Sequence, residues 1–168
     1  MAPSDAIHAM GTGVGLDLHQ RIIACLNEWH VMSLATADED GPHAANLFYA
    51  CDGLALVWVS AADARHSRAI EKSPHVAATV APDYSDFAVI KGLQIEGTAR
   101  QVTDTDRRQA YLAILQTRYP FLAQRAALAA PVRDAYAHAA VYRLEPSRIV
   151  LIDNAQGFGH RDVLELGL

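Results

Sequence analysis

The chain is poor in residues that staple, ligate metal or span membranes. It has two cysteines in 168 residues, Cys25 and Cys51. They form no C-x-x-C pair and have no histidine at zinc-finger spacing. Both read as buried thiols of a reducing compartment, which argues against a disulfide scaffold. No apolar run approaches the roughly 20 residues of a membrane-spanning helix. The opening "MAPSDAIHAMGTGVG" has an acidic residue and no apolar h-region, so a secretory signal is not expected. Cytoplasmic location and no membrane partner are the expectations. Basic excess is also missing. A formal net charge of −5 argues against non-specific nucleic-acid binding, though not against a small anion held by a local cluster. Catalytic signatures are absent too. Eight histidines are scattered without H-E-x-x-H or paired-ligand spacing, so no metal site is expected. Ser60 in "VSAADA" lacks the flanking glycine of a nucleophile elbow.

What is there is ordinary globular material, 51% apolar and 20% charged, enough for one normal core. Residues 1–15 read as a flexible lead-in, and "GTGVG" within them follows no strand, so it is no dinucleotide fingerprint. Residues 16–168 read as a single domain.

Asp17 caps an amphipathic helix in which Leu18, Ile22, Cys25, Leu26 and Trp29 share a face. "VMSLATA" predicts a strand, "DEDGP" a turn, and "HAANLFYAC" a second strand. Asp52-Gly53 joins it to "LALVWVS" as a hairpin. A short helix over about 63–72 and the strand "HVAATVA" follow, broken at Pro82-Asp83. "VIKGLQIEGTARQV" predicts a long strand with Leu93, Ile95, Gly97 and Ala99 on one face and Gln94, Glu96, Thr98 and Arg100 on the other. Thr103 or Asp104 opens a helix that Pro120 stops. "FLAQRAALAAPVRDAYAH" is helical but should kink or split at its proline. "AAVYRLEP" and "SRIVLID" predict two last strands. Tight turns make the strands antiparallel, and this many in a small domain require a barrel or sandwich.

Three stretches carry possible chemistry. Ser60, Arg65 and His66 gather where a strand ends and a helix begins, which suits a phosphate; a solvated helix face explains them as well. Asn46 is polar inside an apolar-looking run. Its amide could meet a planar heterocycle or anchor a turn. Lys91, Gln94 and Glu96 fit either a ligand contact or an exposed strand.

Together "MSLATADEDGPHAANLFYACDGLALVWVS", "RHSRAIEKSPHVAATV" and "IKGLQIEGTARQV" resemble the FMN-binding split-barrel proteins related to pyridoxamine 5′-phosphate oxidase, over about Val31 to Val102, with a weaker likeness at "DNAQGFGHR". The resemblance implies a mainly β (α+β) fold, a split antiparallel β-barrel with flanking helices. It also implies a homodimer with FMN at the interface and an oxidoreductase acting on a small-molecule substrate. Asn46, Leu47, Phe48 and Tyr49 would border the ring. Val59, Ser60, Arg65 and His66 fall where the family binds the FMN phosphate, and Lys91 and Gln94 where it contacts phosphate or ring. Phe158, His160 and Arg161 would reach the partner's flavin. True pyridoxamine phosphate oxidases carry an arginine and a lysine near their second and third strands. "HAANLFYACDGLALVWVS" has neither, and no second phosphate seat is evident, so vitamin B6 oxidation is not expected. The alternative on the same barrel is haem binding or handling, with His160 as axial ligand. No catalytic acid or base stands out.

Overall fold

A computed structural model describes residues 17–124 and 128–167. The proposed lead-in over residues 1–15 lies outside the described residues. Helix α1 (Leu18–Glu28) starts in a capping box. The Asp17 carboxylate accepts from the Gln20 N–H, and the Gln20 side chain accepts from the Asp17 N–H. Four strands follow: β1 (Val31–Asp38), β2 (Gly41–Phe48), β3 (Ala50–Asp52) and β4 (Ala55–Ser60). Then come α2 (Arg65–Lys72), β5 (His75–Val80), β6 (Lys91–Gln101), α3 (Thr105–Arg118), α4 (Pro120–Ala123), α5 (Ala130–His138), β7 (Ala140–Asp153) and β8 (Arg161–Glu165).

The strands form one antiparallel sheet in the order β2-β1-β5-β6-β7-β4-β3, with β8 also on β7. Strand β6 runs along one edge of β7, while β4 and then β8 share the other. The sheet curls into the expected split barrel around Met32, Leu34, Trp58, Leu93, Ile95, Leu144 and Ile149. Helix α1 adds Ile22, Cys25 and Leu26 to this core. A second cluster, Tyr111, Leu115 and Tyr119 against Ala50, Val57 and Val141, seats α3 on the other side of β4.

The long β6 face is as the alternation predicts: Leu93, Ile95 and Ala99 are buried, whereas Gln94, Glu96 and Arg100 are exposed. Three elements differ. "HAANLFYAC" is two strands, interrupted at Tyr49, whose N–H turns back to the His30 carbonyl. "AAVYRLEP" and "SRIVLID" are one 14-residue strand, because Pro146 sits opposite a register shift between Glu96 and Gly97. The proline segment splits, as expected, into α4 and α5, and Pro131 occupies the first turn of α5, where its missing N–H costs nothing. Strand β8 was not expected at all. Among the described residues, no helix is long and apolar enough to cross a membrane.

The last turn of α1 is tied down by tertiary donors. Tyr49 Oη donates to the Leu26 and Trp29 carbonyls at 3.0 and 2.8 Å. Arg118 Nη2 donates to the same two at 2.9 and 2.6 Å. These are carbonyls that a helix end cannot satisfy by itself.

Candidate functional site

The outer face of the sheet is unusually bare. Strand β1 presents Val31, Ser33, Ala35 and Ala37, β2 presents Pro42, Ala44, Asn46 and Phe48, and β5 presents His75, Ala77 and Thr79. Register partners across β2, β1, β5 and β6 place Asn46, Ser33, Thr79 and Gln94 in one row. Three strand spacings make that row about 14 Å long. Ser33 Oγ donates to Asn46 Oδ1 at 2.7 Å. The neighbouring row is Ala44, Ala35, Ala77 and Glu96, and a concavity of about 520 Å³ lies over Ala35, Ala77, Pro42, His75 and Glu96. A polar row bordered by methyl groups can accept a flat ring and hydrogen-bond its edge.

Ser60, Arg65 and His66 come together at the end of the β1–β2 hairpin. Ser60 Oγ and His66 Nε2 are 2.7 Å apart. His66 is only 7% exposed. Burial, with His43 nearby, lowers its pKa, so the imidazole is neutral at neutral pH. Arg65 is not a free cation. Its Nε and Nη2 donate to Asp38 at 3.0 and 2.9 Å, and Nη2 reaches the Gly41 carbonyl at 3.3 Å. The Arg65 hydrogen bond holds the Asp38 carboxyl below its usual range. Glu39, Asp40, Arg68 and Lys72 complete a surface of mixed sign here.

Lys91, Phe158, His160 and Arg161 gather at the opposite end of the strands. Lys91 opens β6 opposite Asp153, and the Asp153 N–H donates to the His160 carbonyl. His160 Nε2 lies 3.2 Å from Asp162 Oδ1. Arg21 also reaches Asp162, at 2.7 Å, and its hydrogen bond keeps that carboxyl low. Phe158 is 83% exposed and meets Phe87 edge-on. Seven residue steps along β1, about 23 Å, separate this end from Asp38 and Arg65. One chain does not bring the two groups together.

Three named positions point away from the outer face. Tyr49 is fully buried, with its hydroxyl spent on α1. Leu47 packs against the barrel core, and Val59 against the α3 cluster. The alternation of a strand dictates this: if Asn46 and Phe48 face out, Leu47 faces in. Sequence reasoning missed Ser33, Thr79 and Asp38. Their positions follow from strand register and a long-range ion pair, which no local pattern announces.

Known proteins agree with this architecture. A UPF0306 protein of Photorhabdus laumondii is 28% identical over 134 residues, covering 79% of this chain and 85% of its own. A heme binding protein from Mycobacterium smegmatis superposes with a TM-score of 0.72 at 21% identity, over 90% of this chain and 59% of that one. A putative pyridoxamine 5′-phosphate oxidase from Listeria innocua gives 0.63 at 20% identity, over 80% and 98%. The family model described as pyridoxamine 5′-phosphate oxidase matches residues 18–157, and by that match the chain belongs to the pyridoxamine 5′-phosphate oxidase family.

Proposed function

We propose that this protein is an FMN-binding flavoprotein, an oxidoreductase acting on a small molecule from a homodimer. The observation that carries the reading is the row Asn46–Ser33–Thr79–Gln94 on an alanine-rich outer face. It has the flatness and edge donors that an isoalloxazine ring needs. The flavin would supply the redox chemistry, and the chain binding and orientation. Asn46 and Gln94 would fix the ring by their amides, and Phe48, 55% exposed, would cover one side.

The phosphate seat fits in part. Ser60 and His66 offer neutral donors that now bond each other, and Arg65 keeps Nη1 beside a fork engaged by Asp38. A phosphate would gain the whole guanidinium only by displacing that carboxylate. The two ends of β1 favour a dimer, since Phe158, His160 and Arg161 could serve only a ligand held by the other subunit's α2. Exposed Val31, Phe87, Val89 and Val163 supply apolar surface for that contact. Vitamin B6 oxidation remains unexpected, because β2, β3 and β4 carry no lysine or arginine.

The second reading is haem binding. It is favoured by the likeness to the mycobacterial heme binding protein and by His160 at an exposed turn. Against it, the His160 Nε2 is already turned to Asp162. The absorption spectrum of the purified protein separates the two: flavin bands at roughly 375 and 450 nm, or a Soret band at roughly 400 nm. A colourless protein that takes up neither group on titration would overturn both.

A further inference from the structure

We propose a second anion site, distinct from the flavin face, in the cavity of about 340 Å³ beside the start of α3. It would take a phosphate group, free or carried on a small molecule.

Three arginines line this cavity: Arg100 of β6, Arg143 of β7 and Arg107 in the first turn of α3. Arg100 and Arg143 are register partners on adjacent antiparallel strands. Like charges directly opposite each other repel and need a counter-ion. Arg143 has its own, since it pairs with Glu145 and lies 3.6 Å from Asp52. Arg100 and Arg107 have none: neither forms an ion pair or a side-chain hydrogen bond among the described residues. Two unpaired guanidinium groups therefore border one concavity in a chain whose net charge is −5. Thr98 and Thr103 add hydroxyls to the wall, while the Tyr111 hydroxyl donates to Asp52 at 3.2 Å. Asp104 and Glu145 also line it, but each is already engaged, Asp104 by the Arg107 N–H and Glu145 by Arg143.

Guanidinium forks match paired oxygens, which selects an oxyanion over a halide, and two unpaired cations suit the dianionic charge of a phosphate. The volume lies at the lower end for small-molecule sites, enough for a phosphate with a short organic group. Six residues of β6, about 20 Å, separate Arg100 from Gln94, so occupation here does not depend on the flavin reading.

The full chain is titrated with inorganic phosphate and with glycerol phosphate at constant ionic strength, by thermal shift and by phosphorus NMR line width. Saturable binding is expected. Arg100→Gln and Arg107→Gln should each weaken it about tenfold or more, and Arg65→Ala, which touches only the α2 seat, should leave a saturable component that the Arg100 and Arg107 changes remove. Arg100→Lys, which keeps the charge and loses the fork, should fall between. Stronger binding of the ester identifies a small phosphorylated molecule, and equal binding identifies free phosphate. The proposal is overturned if chloride at equal ionic strength has the same effect, if the two glutamine variants bind as wild type does, or if Arg65→Ala abolishes binding. The first result means screening alone; the last puts the only seat at α2.

Discussion

Arg65 holds Asp38 by two parallel hydrogen bonds, so the cation at the hairpin end already carries an internal anion. Asp38→Asn would release the fork. FMN should then bind about tenfold more tightly, while riboflavin, which has no phosphate, should bind as before. Arg65→Ala should weaken FMN selectively. Fluorescence quenching with both ligands measures the two effects. An equal change for FMN and riboflavin in Asp38→Asn would show that the pair serves the hairpin alone.

The same pair gives an acid limit. Asp38 has a folded pKa below its ordinary 3.8. Its contribution to stability is present above that ordinary value and is lost as pH falls through the lower, folded one. Thermal melts of wild type and Asp38→Asn should therefore differ at neutral pH and converge only below about pH 4.

His66 works in the same direction, in a higher pH window. Burial lowers its folded pKa below the ordinary 6.5. The unfolded chain therefore takes up the proton first, and stability falls as pH drops from 6.5 toward the folded value. A His66→Gln variant should show a flatter dependence in that window. Urea titrations at several pH values provide the test, and an unchanged slope would mean that His66 ionises equally in both states.

Gly97 lies where β6 and β7 shift register. A Cβ there would run into the Glu145 carbonyl and come within 2.8 Å of the Pro146 Cα, and both obstacles are backbone. Gly97→Ala should cost about 1–3 kcal/mol, as overpacking does. Denaturant unfolding reads this directly.

Tyr49 and Arg118 donate to the same two carbonyls of α1. Tyr49→Phe alone should cost about 0.5–1.5 kcal/mol, because Arg118 still satisfies both oxygens. Combined with Arg118→Met, the loss should exceed the sum of the single changes, since the carbonyls would be left buried without a partner. Strict additivity would show that water takes over the task.

Much of the fold was legible because it is local. Asp17 and Asp104 announce helix starts by their side-chain chemistry, and Leu93, Ile95 and Ala99 alternate with Gln94, Glu96 and Arg100. Strand β8 was not legible. "RDVLE" is five residues long, and only its pairing with β7 makes it a strand. Pro146 read as a strand end because a proline cannot donate, yet a bulge absorbs the missing bond. The candidate site was legible only in pieces. Asn46 and Gln94 can be picked as polar residues in apolar runs, but their shared row depends on the register of four strands. Arg65 reads as a free anion donor until Asp38, 27 positions away, is folded against it.

The distance between the two ends of β1 has a genetic consequence. If one ligand needs Arg65 from one chain and the turn at Phe158 and His160 from another, the binding unit is a half taken from each protomer. A chain crippled at Arg65 and a chain crippled at the turn would then each be dead alone. Expressed together they would form mixed pairs in which one of the two ligand positions receives both intact halves. Co-expression should rescue about half the capacity of those pairs, whereas two lesions at the same end should never complement each other.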